Sequence, residues 1–270
     1  MTATPMLQVS DLSLRFGSVT AFAGVSFDVA RGELFAVIGP NGAGKTSLFN
    51  VLSRVYQPTG GSACFEGADL LRLPAWGLAS VGFARTFQNL GLFGELTALD
   101  NVLIGRHHLM RAGAIRTGFW LGYARREERL HRAAAMEALS FTGLGDVAGD
   151  RVGTLPFGIR KRIEIARALA MEPKLMLLDE PVAGMSAGER EEITALVRRL
   201  HDERDLTLLL VEHDMNMVMR IAQRVLVLDF GQTIALGSPA EIQRDERVIR
   251  AYLGEELDPN DARGAAEAVR

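Results

Sequence analysis

Cysteine is nearly absent: Cys64 is the one cysteine in 270 residues. A single thiol cannot close a disulfide within the chain or build a cysteine-based zinc site, so the fold depends on packing. A surplus of either charge is also lacking. The 30 Lys and Arg stand against 33 Asp and Glu, a net charge of −3. On charge alone this excludes a basic nucleic-acid coat and an acidic solvating tail. Long apolar runs are missing as well. The longest reach about six residues, where a bilayer-spanning helix needs about 20. The opening MTATPMLQVSDLSLRFG has no charged stretch followed by an apolar one, so no export signal is expected. Lysine is scarce, with only Lys45, Lys161 and Lys174 beside 27 arginines. Apolar residues are plentiful at 48%, enough for a real core and too many for wholesale disorder.

The chain alternates strand and helix patterns. Gln8–Leu14 and Val25–Val29 partly alternate polar and apolar residues, as half-buried antiparallel strands do, and Gly17, Gly24 and Gly32 punctuate them. Leu34–Ile38 is a continuous apolar run, the pattern of a parallel strand buried on both faces. Leu175–Leu178, Leu206–Val211 and Val225–Leu228 repeat that pattern late in the chain, and a turn at 229–232 leads to a short strand, Thr233–Ala235. Helical patterns occupy 44–54, roughly 97–106, 125–141, 158–171, 188–203 and 214–222. Segment 88–160 contains helical patterns but no buried-strand run, which predicts a helical subdomain. Residues 105–123 follow no regular pattern, and 255–270 read as a polar, Ala-rich tail.

Three strand ends carry chemistry. Gly39-Pro40-Asn41-Gly42-Ala43-Gly44-Lys45-Thr46 fits G-x-x-x-x-G-K-[ST], directly after the Leu34–Ile38 strand and opening a helix. The glycines let successive backbone N–H groups point inward, and the helix adds its positive end. Lys45 supplies a compact charge for the β- and γ-phosphates, and Thr46 an oxygen for Mg²⁺. At this composition the pattern arises by chance about 0.003 times per chain. Leu175–Leu178 runs into Asp179-Glu180. Asp179 suits Mg²⁺ through a water, and Glu180 can polarise an attacking water. Leu206–Val211 runs into Glu212-His213-Asp214, where His213 can bond a γ-phosphate and hold the water at Glu180.

These residues, with others, give a resemblance to the ATP-binding subunits of ABC transporters over almost the full length. Phe16, 29 residues before Lys45, looks like the aromatic that stacks on adenine. Gln88, in Ala84–Asn89, looks like the lid glutamine that touches Mg²⁺ and water. Leu155-Pro156-Phe157-Gly158 and the helix after it look like the family signature, and Ala183–Ser186 lies at the D-loop position. The resemblance implies an α/β fold: a phosphate-loop core with a mostly parallel sheet, an N-terminal antiparallel β subdomain and an inserted helical subdomain. It places the ATPase domain at 5–254. ATP and Mg²⁺ are the implied ligands. By the resemblance, Phe16 and the loop from Gly39 through Ser47 are expected to bind ATP, Thr46, Gln88 and Asp179 to manage Mg²⁺, and Glu180, His213 and Gln88 to act in catalysis. The resemblance further implies that the positive end of the helix opened by Gly158 meets the γ-phosphate held by a second subunit, so that the working unit is a dimer.

The finer resemblance is to the branched-chain (hydrophobic) amino-acid importer ATPases. It rests on ARTFQNLGLF, ELTALDNVLIGRHH, LPFG, EIARALA, LLLVEHDM, GSPAEI and AYLGEE. It implies a peripheral protein on the cytoplasmic face of a bacterial inner membrane, partnered by a second ATPase subunit, two permease subunits and, indirectly, a solute-binding protein, with no nucleic acid. The second ATPase can be an identical or a sister chain, and urea, amides or other small solutes stay open as cargo. The chain also departs from the family. Pro156 and Phe157 replace a Ser and a Gly, Ile159 replaces a Gln, and Met185-Ser186 replaces a Leu-Asp or Leu-Asn pair. These departures motivate an alternative, an ATP-binding partner with little hydrolysis of its own. Glu180 and His213 favour hydrolysis. A nucleic-acid ATPase of the same family would carry a coiled-coil insertion or two cassettes, and neither is present. Leu90, Leu92, Phe93, Leu96, Phe119, Trp120 and Leu121 divide between docking surface and helical core.

Overall fold

The computed structural model describes residues 5–86, 90–110 and 121–256. In chain order come β1 (Leu7–Phe16), β2 (Val19–Val29), β3 (Leu34–Ile38), α1 (Lys45–Leu52), β4 (Gly60–Phe65), β5 (Ala68–Asp69) and β6 (Phe83–Arg85). Then follow α2 (Ala98–Gly105), α3 (Leu121–Phe141), α4 (Phe157–Leu169), β7 (Leu175–Asp179), α5 (Ala187–Arg204) and β8 (Thr207–Val211). Last are α6 (Met215–Ile221), β9 (Arg224–Asp229), β10 (Gln232–Gly237), α7 (Pro239–Ile242) and α8 (Glu246–Glu256). They form two compact units: one contains β1 to β5, α1 and the elements from α6 onward, and the other contains β6 to β8 and α2 to α5.

In the first unit, β2, β1, β4 and β5 make an antiparallel sheet. β1 and β2 join through the two-residue loop Gly17-Ser18. Alternation turns Leu7 and Val9 inward, and an irregularity at Asp11 (φ 49°) shifts the pattern so that Leu12 and Leu14 are buried too. The same unit pairs β3 in parallel with β9, and β10 folds back antiparallel on β9. All five residues of β3 are buried, as its unbroken apolar run predicts. Phe27 stacks on Phe35, centroids 5.2 Å apart.

In the second unit the strand order is β8-β7-β6, with β6 parallel to β7. Its helical core gathers Leu99 and Val102 of α2, Ala135 and Leu139 of α3, and Ile163 and Ala166 of α4. Leu92 packs against that core, whereas Phe93 and Leu96 are exposed. Phe119 and Trp120 lie outside the described residues, as does the side chain of Leu121. Asn101, fully buried, clasps the approach to α2: its Nδ2 donates to the carbonyls of Phe93 and Thr97, and its Oδ1 accepts from the Phe93 N–H.

The mixed α/β architecture agrees with the sequence expectation. The differences are whole short elements. β4, β5, β6, α7 and α8 were not read from the sequence, and α8 continues through Glu256, two residues into the stretch read as tail. Among the described residues no helix is long and apolar enough to cross a membrane.

Candidate nucleotide-binding site

In the first unit, β3 ends in the phosphate-loop sequence. Gly39 adopts φ 151°, and a Cβ there would sit 2.1 Å from the Leu228 carbonyl oxygen of β9, so no side chain fits. Gly44 is the N-cap of α1 at φ 97°. It offers no side-chain cap, and the first turn holds no acidic residue. The helix therefore begins without a side-chain cap or a compensating carboxylate at its positive end, an arrangement suited to an anion. Lys45 is 6% exposed, and its Nζ donates to the carbonyls of Gly39 at 2.5 Å and Pro40 at 2.8 Å. Its charge is thus folded into its own loop. Asn41, Gly42 and Thr46 are exposed, while Ala43 and Pro40 are buried.

Two further elements of this unit hold candidate residues. Phe16, at the end of β1, is 48% exposed and meets Tyr56 edge to face. His213 follows β8 with its side chain 57% exposed. Its backbone is fixed from below: the fully buried Glu212 accepts the N–H groups of His213 at 2.9 Å and Asp214 at 3.2 Å. Asp214 in turn caps α6 by accepting the Met217 N–H.

In the second unit, β7 ends at Asp179, whose side chain is 1% exposed. Arg85 of β6 donates from Nη2 to Asp179 Oδ2 at 2.6 Å, and the Asp179 N–H donates to the Thr86 hydroxyl at 3.2 Å. Asp179 Oδ1 is buried with no hydrogen-bond partner. A buried carboxylate oxygen without a partner is costly, and a metal-bound water is a chemically suitable partner for it. The donor set therefore fits Mg²⁺, which takes few protein oxygens and completes its shell with water and phosphate. Glu180 follows in the left-handed region, φ 45°. Its carbonyl accepts the Ala183 N–H and turns the chain toward α5.

α4 begins at Phe157, one residue before the glycine expected to open it. Pro156 precedes it without a side-chain cap, and no acidic residue lies in the first turn. Gly158 is buried, and a Cβ there would meet Glu189 Oε1 at 2.8 Å. That carboxylate is not free to yield. Ser186 and Glu189 form a capping box at the start of α5, in which Glu189 Oε2 accepts from the Ser186 N–H and hydroxyl. These bonds hold the Glu189 carboxyl below its ordinary value. Ser186, a departure from the family pattern, is thus the N-cap of α5, a task Asp or Asn would perform equally. Further along α4, Arg167 donates to the carbonyls of Leu90 and Gly91, anchoring the chain just past Gln88. Gln88 itself lies outside the described residues.

Sequence reasoning singled out Lys45, Thr46, Asp179, Glu180 and His213 but missed Arg85 and Tyr56. Arg85 is one of 27 arginines and Tyr56 one of three tyrosines, and neither stands in a spacing that points to a site.

A family model described as ABC transporter matches residues 22–183, and one described as branched-chain amino acid ATP-binding cassette transporter matches 232–258. The high-affinity branched-chain amino acid transport ATP-binding protein BraF of Pseudomonas aeruginosa is 40% identical over 93% of this chain and 98% of its own length. LivG of Escherichia coli, which carries the same description, is 39% identical over 93% and 98%. Among solved structures, the ADP conformation of MJ1267, an ATP-binding cassette of an ABC transporter, superposes with a TM-score of 0.79. It is 30% identical and covers 93% of this chain and 100% of that one. The dimeric bacterial cassette MJ0796 gives 0.72 at 26% identity, covering 87% and 99%.

Proposed function

The chain belongs to the ABC transporter family as an ATP-binding cassette, and from that premise we propose that it hydrolyses ATP to power an importer of branched-chain or other hydrophobic amino acids. The observation that carries ATP binding is the phosphate loop: a glycine with no room for a side chain, an uncapped helix start, and a buried lysine amine within one turn of backbone. The substrate class is supported by relatives named for that transport along 93% of this chain, and by the separate match at 232–258.

Each side chain then has a task. The backbone from Gly39 to Ser47 receives the phosphates, Lys45 neutralises their charge, and Phe16 stacks on adenine. Thr46, Gln88 and Asp179 would hold Mg²⁺, with the buried Asp179 Oδ1 as the acceptor for a metal-bound water. When bound, Mg²⁺ draws charge from the phosphate oxygens. Glu180 takes a proton from the attacking water, and His213 bonds the γ-phosphate end. Gly158 and the start of α4 serve a nucleotide on a neighbouring cassette, where backbone N–H groups do the work of the missing signature serine. Residues 5–254 make up the ATPase domain, 88–160 its helical subdomain, and 255–270 a trailing segment. ATP closes a pair of cassettes and hydrolysis reopens it. Two permease subunits at the cytoplasmic face of a bacterial inner membrane receive the motion, and a solute-binding protein delivers the cargo.

The test is to reconstitute the chain in vesicles with the permease and solute-binding protein that copurify with it. Leucine should stimulate ATP hydrolysis several-fold, whereas urea and small amides should not. Stimulation by urea or an amide, with none by leucine, would overturn the substrate assignment and leave the ATPase intact.

A further inference from the structure

Phe16 does not stand alone. Its ring and that of Tyr56 meet with centroids 5.2 Å apart and planes at 82°, an edge-to-face pair. Both rings are open to solvent, Phe16 at 48% and Tyr56 at 36%. The backbone around Tyr56 is fastened on both sides. The N–H groups of Val55 and Tyr56 both donate to the Asn50 carbonyl of α1, at 2.8 and 3.1 Å, around Arg54 at φ 62°. Three residues later, the N–H and hydroxyl of Thr59 both donate to the Ser13 carbonyl of β1, at 2.8 and 3.1 Å. Tyr56 is therefore held against the end of the strand that carries Phe16. The segment that holds it hangs from the helix that begins at Lys45.

We propose that Tyr56 is the positioning residue of the base-binding platform: it fixes the ring plane of Phe16 so that a face of Phe16 is presented to adenine. The inference rests on the reading of Phe16 as the ring that stacks. An exposed phenylalanine alone exchanges rotamers within nanoseconds and must be ordered when a ligand arrives. An edge-to-face neighbour orders it beforehand, so less affinity is lost on binding. Whichever ring supplies the edge, at least one face of Phe16 stays uncovered. Because α1 connects the phosphate loop to Tyr56, the phosphate grip and the ring that positions Phe16 lie on one continuous segment.

The experiment uses the full chain with two ligands, MgATP and inorganic tripolyphosphate, measured by calorimetry and supported by steady-state kinetics. Tyr56→Ala should weaken ATP about fivefold and leave tripolyphosphate unchanged, raising KM without lowering kcat. Tyr56→Phe should bind ATP as the parent does, because the ring and not the hydroxyl carries the effect. Tyr56→Leu, which fills the space without a ring, should behave like Tyr56→Ala and guards against a folding defect in that variant. If Phe16→Ala weakens ATP but Tyr56→Ala and Tyr56→Leu do not, the positioning role is refuted. Equal weakening of ATP and tripolyphosphate by Tyr56→Ala also refutes it, since the effect then lies in the phosphate loop. ATP affinity unchanged in Phe16→Ala refutes the reading of Phe16 itself.

Discussion

Asp179 and Arg85 form a buried ion pair at the end of β7, with side chains 1% and 7% exposed. Removing one partner of such a pair leaves an uncompensated charge out of water. Arg85→Met should therefore destabilise the fold by about 3–5 kcal/mol, read from denaturant unfolding. A change below about 1 kcal/mol would mean that Asp179 finds another partner or water. This residue was not legible in the sequence. Lys45, Asp179 and Glu180 were, because each stands at a fixed distance from a buried apolar run, and that spacing implies the end of a strand. Arg85 carries no such mark. It ends a three-residue strand, and its partner lies 94 positions away. Tyr56 was hidden for a similar reason, since its meaning comes from β1, which pairs with the strand that follows it.

The helix caps decide how firmly the strand ends are held. Ser186 caps α5 in a reciprocal box with Glu189, seven residues past Asp179. Ser186→Ala should cost about 1 kcal/mol of stability, and Ser186→Asp should cost little, as a pair of melting curves would register. The box is also acid-sensitive. The Ser186 hydroxyl, then its N–H, hold the Glu189 carboxyl below its ordinary value of 4.5. A depressed folded value means that the contribution is present above pH 4.5 and is lost as the pH falls through that lower value. The stability difference between the parent and Glu189→Gln should therefore shrink steadily below pH 4.5. A difference constant from pH 7 to pH 3 would contradict the box. At this scale β3, β7, β8 and β9 were plain in the sequence, because each is built on an unbroken apolar run with polar residues only at its ends. β4 was not. Its sequence GGSACF buries only Ala63 and Phe65, and its register is set by β1, more than 40 residues earlier. α8 was missed because it follows a run of short elements, although Val248, Ala251 and Tyr252 recur at helical spacing.

For the whole molecule, the proposed function makes one cassette incomplete. The chain contributes a phosphate loop and a helix start at α4 with no capping side chain and no acidic first turn, and both are suited to anions. If α4 serves a neighbour's nucleotide, ATP should drive association. Light scattering on Glu180→Gln should give the 29.4 kDa chain without nucleotide and twice that mass with MgATP, or a pair with its sister cassette where two different chains are required. Monomers at every ATP concentration, with either partner, would exclude the shared site. Composition had already excluded a membrane-spanning helix and a disulfide scaffold, and the motifs gave the nucleotide. Cargo was legible only by resemblance, because none of the motifs read from this sequence bears on it.

The central claim is that the turn after β3 grips the phosphates of ATP and that Glu180 then drives their cleavage. It is tested most directly by phosphate release from MgATP, measured in parallel with nucleotide binding on the parent chain, Lys45→Ala and Glu180→Gln. The account predicts release by the parent. It predicts loss of both binding and release in Lys45→Ala, and in Glu180→Gln retained binding with release reduced about 10²–10⁴-fold. Release at the parental rate from Lys45→Ala would contradict it.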